Sequence, residues 1–226
     1  MQCGFIGLGM LGARMARQVM DAGHALKVFD LDDAAVEQLV AHGATSAVSV
    51  AQAASEVDVL ITCLPSPEAS TKVMTSNNGA LGVMHEGSCW IEMSTTDVKE
   101  MIRLAELAAA QGIGVLECPA TGGVHRAARG EMTLLVGGDE ALFKRHASLL
   151  EALSGQIVYM GEVGNASLIK VITNLLCLVD LVAMGEALML AKRGGLDLAR
   201  CYDCLLYTSD AADDSLRVDL GGRRII

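Results

Sequence analysis

Cys3-Gly4-Phe5-Ile6-Gly7-Leu8-Gly9-Met10-Leu11-Gly12-Ala13-Arg14-Met15-Ala16 is a short apolar run, a glycine loop and the start of a helical pattern, and this order decides the fold class. The spacing fits G-x-G-x-x-G opening a βαβ unit, a weak motif alone and a strong one in this context. Gly7 allows a tight turn, Gly9 lets a diphosphate approach the backbone, and Gly12 lets helix and strand pack closely. With Leu8, Met10 and Leu11 completing the cofactor loop, the helix N-terminus then supplies free N–H groups and the positive end of its dipole to the anion. Asp30 closes the next apolar run, roughly twenty residues on, where a carboxylate accepts hydrogen bonds from a ribose. Asp32 and Asp33 follow it, with no arginine in the turn to meet a 2'-phosphate. The expected cofactor is therefore NAD rather than NADP.

Outward from this loop, β-branched or apolar runs alternate with helical patterns as far as Cys118, the signature of a parallel sheet wound on both faces. Strands are expected at Cys3 to Ile6, Leu26 to Phe29, Val57 to Cys63, Cys89 to Ile91 and Gly114 to Leu116. Gly23 and Gly43 suit helix C-termini, Ser49 with Gln52 a capping box, and Ser66-Pro67 a helix start. After a glycine-bearing loop from Pro119 to Gly130, the pattern predicts strands at Thr133 to Val136 and Gln156 to Met160, flanking a helix over Ala141 to Leu153. From Asn165 to Arg193 only Gly185 interrupts an apolar run, which reads as one long, largely buried helix ended by Gly194 and Gly195. The expected fold is thus α/β, a Rossmann-type doubly wound sheet over 1–162 followed by one long interdomain helix and the start of an all-α region over 163–204.

The 226 residues are 52% hydrophobic with a formal net charge of −10, enough for a packed core and without a basic stripe for nucleic acid or anionic membranes. Val171 to Ala191 has the length of a membrane span, but Asn174, Asp180 and Glu186 make a buried helix the better reading. The N-terminus shows no basic region ahead of its brief apolar run, so no secretory leader is expected. Seven scattered cysteines read as reduced thiols in a cytoplasmic protein, and Cys201 with Cys204 is a lone CxxC, so no metal site is expected.

Five segments in order resemble the signature set of the β-hydroxyacid dehydrogenase family, which includes 3-hydroxyisobutyrate dehydrogenases and tartronate semialdehyde reductases. They are Phe5 to Gly12, Thr62-Cys63-Leu64-Pro65, Ile91 to Asp97, and the pair Glu117 to Gly123 and Gly164 to Asn174. The resemblance implies that Leu64 and Pro65 lie along the cofactor and that Thr95 stands near the nicotinamide ribose. It implies that Thr121, Gly122 and Gly123 bind substrate and that Lys170 and Asn174 are catalytic. Glu117 stands where the family usually has Asp, and Thr121 where it has Ser.

The residues support those roles independently. A hydroxyl followed by two glycines can offer O–H and two N–H groups to a carboxylate. Lys170 and Asn174 share one helix face on an otherwise apolar helix, where burying an ammonium without purpose is costly. His125 and Arg126 lie in the same loop and either tune specificity or stand on a solvated surface. The family's helical C-terminal region is not recognisable after about residue 204, and 205–226 resembles a non-native tail, so the chain reads as a family member cut short. Three functions stay open: hydride transfer between NAD and a small 3-hydroxy acid or its semialdehyde, a 6-phosphogluconate or imine-reducing type of activity, and NAD binding with little turnover. The apolar long helix also implies a partner surface, most simply a second copy of the chain.

Overall fold

The computed structural model describes residues 1–215, with side chains to 206. The expected tail falls partly outside this range: 216–226 are outside the described residues, whereas 205–215 continue a helix. In chain order the elements begin β1 (Gln2–Ile6), α1 (Gly12–Asp21), β2 (Ala25–Phe29), α2 (Asp33–Val40), β3 (Thr45–Ser46) and α3 (Val50–Ala54). Then come β4 (Val59–Thr62), α4 (Pro67–Thr75), a 3-10 turn at Ala80–Gly82, β5 (Cys89–Glu92), α5 (Val98–Ala109) and β6 (Gly114–Glu117). The remainder is β7 (Ala120–Thr121), α6 (Gly123–Ala127), β8 (Met132–Gly138), α7 (Glu140–Leu153), β9 (Ser154–Gly161), α8 (Asn165–Arg193) and α9 (Leu198–Ser215).

The sheet runs β3-β2-β1-β4-β5-β6-β8-β7, with β9 pairing β8. From β3 to β6 every pairing is parallel. β8 turns antiparallel to β6 and β7, and β9 runs parallel to β8. Every residue of β4 and β5 is buried, as expected of central strands covered on both faces. One face carries Cys3, Phe5, Met15, Val19, Leu116 and Leu149, the other Leu60, Met74, Trp90, Met101 and Leu104, so helices close both sides. The Trp90 indole N–H finds its partner in Thr62 Oγ1 at 2.8 Å, which keeps a large ring in the core without an orphaned donor.

Local signals act as read. Ser49 Oγ accepts from the Gln52 N–H, while Gln52 Oε1 accepts from the Val48 N–H at 2.7 Å. Ser66 caps α4 with Pro67 in its first turn. The two-residue strands β3 and β7 were too short to carry a period and were not foreseen.

The chain divides into two compact units inside α8, after Ile172. The expectation of a largely buried helix is corrected here: in α8 only Ala166, Ser167 and Lys170 are buried. Leu175, Leu178, Leu181 and Leu190 are exposed. Hydrophobicity states a preference for burial, but burial needs a covering surface as well. By length and composition α8 would also pass as a membrane span.

Candidate active site

The parallel order places the C-terminal ends of β1, β4, β5 and β6 side by side, and the strand order reverses between β1 and β4, the position where doubly wound sheets bind ligands. Four loops leave this edge: Gly7 to Leu11, Cys63 to Pro65, Met93 to Thr96, and Cys118 to Gly122. The expected cofactor residues lie on the first three, except Gly12, which opens α1, and Asp30.

The three glycines of the first loop are needed for three different reasons. Gly7 has φ +97°, and a side chain there would meet the Cys63 carbonyl oxygen at 2.2 Å. Gly12 faces the Gly7 carbonyl oxygen at 1.9 Å from a would-be Cβ, so the loop closes on its own helix. Gly9 has nothing within 4 Å, so the space above it is left to a group from outside the chain. No side chain caps the α1 N-terminus, which leaves its N–H groups to such a group. These features fit a dinucleotide diphosphate.

Asp30 follows β2 at the same edge. One carboxylate oxygen accepts from the Leu8 N–H and the other from the Asp32 N–H at 2.9 Å. Asp32, rather than Asp30, caps α2, accepting from the Ala34 N–H at 3.0 Å. Asp30 thus fixes the glycine loop and keeps lone pairs for ribose hydroxyls.

Leu64 is half-buried and Pro65 exposed in the loop after β4. Thr95 is exposed, whereas Thr96 is buried. Reading the sequence missed what holds these loops. Glu92, the last residue of β5, accepts from the Ser94 N–H at 2.7 Å, and Ser94 Oγ accepts from the Leu64 N–H at 2.7 Å. Burial pushes the Glu92 carboxyl up from its ordinary range, with hydrogen bonds from Ser94 opposing. An acid at a strand end gave no sequence signal of this, because the tie crosses from β5 to the loop after β4.

Thr121 ends β7, Gly122 follows it and Gly123 opens α6; all three are exposed, with φ +131° at Gly122 and +72° at Gly123. Lys170, on the second turn of α8 and 9% exposed, donates from Nζ to Thr121 Oγ1 at 3.1 Å. Two candidates 49 residues apart in sequence are therefore in contact. Asn174 lies four residues further along the same helix, exposed and in the second unit. Among the described residues no group of His, Cys, Asp and Glu is arranged to hold a metal ion. Burial pushes the Cys63 and Cys89 thiols up to about 12 and Cys118 well above its ordinary value, which removes them as nucleophiles.

Residues 2–161 match the family described as the NAD binding domain of 6-phosphogluconate dehydrogenase. Over 215 residues the chain is 33% identical to a probable mitochondrial 3-hydroxyisobutyrate dehydrogenase of Dictyostelium discoideum, covering 90% of this chain and 67% of that protein. The chain belongs to the β-hydroxyacid dehydrogenase family. An NAD-dependent L-serine dehydrogenase of Pseudomonas aeruginosa is 35% identical over 196 residues, 87% of this chain and 66% of that one. The solved 3-hydroxyisobutyrate dehydrogenase of Mycobacterium tuberculosis, with L-serine, superposes with a TM-score of 0.81 at 33% identity, over 87% of this chain and 66% of its own. This family member spans about two-thirds of the length of these relatives. Its NAD-binding domain is thus an enzyme's cofactor domain.

Proposed function

We propose that this chain transfers a hydride between NAD and a small 3-hydroxy acid or its semialdehyde, of the 3-hydroxyisobutyrate or tartronate semialdehyde kind. The observation that carries the reading is the contact of Lys170 Nζ with Thr121 Oγ1 at the ligand-binding edge of the sheet. It joins a proton donor to a loop shaped for a carboxylate.

Thr121 O–H and the N–H groups of Gly122 and Gly123 hold the substrate carboxylate, local donors that attract an anion despite the chain's net charge of −10. When bound at Gly7 to Gly12, Asp30, Leu64, Pro65 and Thr95, the cofactor supplies or takes up the hydride at its nicotinamide. In reduction Lys170 gives its Nζ proton to the carbonyl oxygen, and in oxidation its neutral amine takes the proton from the hydroxyl. Asn174, one turn on, orients Lys170 and substrate. The lysine weighs against imine reduction, and the absence of a basic phosphate cluster in the loop weighs against a sugar phosphate. We place the enzyme in the cytoplasm as a homo-oligomer, with the apolar residues of α8 as its contact. The uncovered stretch of α8 also favours a second reading, NAD binding with weak turnover.

The test measures NADH affinity and turnover separately, over a panel of 3-hydroxyisobutyrate, L-serine, tartronate semialdehyde and 6-phosphogluconate. Lys170→Ala is expected to lower kcat by about 10²- to 10⁴-fold, about 3 to 5 kcal/mol of barrier, with little change in NADH affinity. Lys170→Arg is not expected to rescue, because a guanidinium does not readily give up a proton. Full turnover in Lys170→Ala would remove the lysine from the reaction, and NADH binding without turnover of any panel member would favour the second reading.

A further inference from the structure

The buried carboxylate of Glu117 is the most heavily bonded side chain in the structure, and nothing in the chemistry above uses it. Glu117 is the last residue of β6 and fully buried. Its Oε1 accepts from the N–H groups of Gly164 at 2.6 Å and Ala166 at 2.9 Å. Its Oε2 accepts from the Ser167 N–H at 3.2 Å and from the Ser167 hydroxyl. All four contacts are donors at or just before the first turn of α8, so a strand-end carboxylate caps this helix.

We infer that Glu117 is a positioning residue for Lys170: its carboxylate ties the first turn of α8 to the end of β6 and so sets the Lys170 ammonium against Thr121. Three observations converge on this. Glu117 stands three residues before Ala120-Thr121, so the strand that ends in the carboxylate leads directly into the substrate loop. Ala166 and Ser167 lie four and three residues before Lys170, on its own face of the helix. A slip of this first turn therefore moves Nζ directly. Finally, the surroundings are cut to fit the longer acid: a side chain at Gly137 would meet Glu117 Oε1 at 2.4 Å, and Gly164 turns into the helix at φ +101°. A glutamate spans from β6 to the α8 backbone only because residue 137 has no Cβ.

The inference rests on the reading of Lys170 as the proton-transfer group, yet its geometry is testable without turnover. The full chain and its Glu117→Gln variant are treated with N-hydroxysuccinimide acetate, and acetylation is followed lysine by lysine by mass spectrometry. Glu117→Gln is expected to speed acetylation of Lys170 roughly tenfold or more, the factor that goes with losing a hydrogen bond to a charged group. Lys27 and Lys144 should keep their rates, and NADH affinity should hold. Ser167→Ala, which leaves the charge and the three backbone bonds, should raise the Lys170 rate in the same direction by less. If Glu117→Gln raises every lysine together it has lost its fold, and Ser167→Ala then decides. Where turnover is measurable, Glu117→Gln should lower kcat without raising KM for NADH, and should have no further effect in the Lys170→Ala background. An unchanged Lys170 rate in a folded Glu117→Gln variant, or kcat losses that multiply in the double variant, would overturn the inference. Faster Lys170 labelling alongside full turnover of Lys170→Ala would instead keep the positioning role and reject the lysine's chemistry.

Discussion

Asp30 holds two backbone N–H groups, those of Leu8 and Asp32, and in holding them it aims the remaining lone pairs outward from the end of β2. A 2'-phosphate placed there would face a carboxylate and no cation in the turn. NADH is therefore expected to bind more tightly than NADPH when both are titrated at equal ionic strength, and Asp30→Ala should narrow the gap while weakening NADH. Equal or tighter NADPH binding by the parent would reject the assignment. Glu92 supports a prediction with a sign. Its folded-state pKa lies above the ordinary carboxylate value of 4.5, so the native state retains a proton that the unfolded chain releases. Stability from this group is full below the unfolded pKa and falls as pH rises through the unfolded value toward the folded one. Glu92→Gln removes the ionisation, so its Tm relative to the parent should climb as pH rises above the ordinary carboxylate value. A Tm difference that is flat or falling over that range would show that Glu92 is charged in the native protein.

At the scale of elements, the β1–α1 turn separates a structural glycine from a binding glycine. At Gly12 a methyl group would meet the Gly7 carbonyl oxygen, backbone that cannot swing aside. Gly12→Ala is expected to cost about 1 to 3 kcal/mol of stability, with NADH binding lost alongside. At Gly9 the same methyl group meets nothing. Gly9→Ala should leave stability within about 0.5 kcal/mol and yet weaken NADH sharply, because the methyl group occupies the approach of the diphosphate. Thermal melts and NADH fluorescence titrations of both variants check this, and the opposite pattern would mean that the loop does not bind the diphosphate.

On the scale of the whole molecule, the apolar residues of α8 are the unfinished surface. Leu178 and Leu181 are 62% and 67% exposed, so they contribute little to the fold of this chain. Light scattering over a concentration series is expected to show reversible association. The double variant Leu178→Lys with Leu181→Lys should suppress it while shifting stability by no more than about 0.5 kcal/mol per site. A parent that stays monomeric throughout would show that α8 tolerates water as it is.

The sequence by itself determined the sheet, its glycine loop and the cofactor class, because these rest on short-range physics: a two-residue period, a 3.6-residue period, and glycines at fixed offsets around an anion. It also carried Thr121 and Lys170 as candidates, through the family resemblance together with a hydroxyl beside paired glycines and a lysine on an apolar helix. Their contact belongs to the tertiary structure, since 49 residues separate them and only the end of β6 and the start of α8 bring them together. The antiparallel turn of β8 was decided at the same level, because strand direction depends on which neighbour offers hydrogen bonds, and a single strand's pattern is the same read either way. The roles of Glu92 and Glu117 were likewise hidden, as an acid at a strand end looks solvated until folding carries backbone N–H groups from distant segments to meet it. The same reason explains the one expectation that failed. Apolar residues along α8 announced a helix that would gain from burial, but burial is a property of two surfaces, and a helix's own residues specify only one of them.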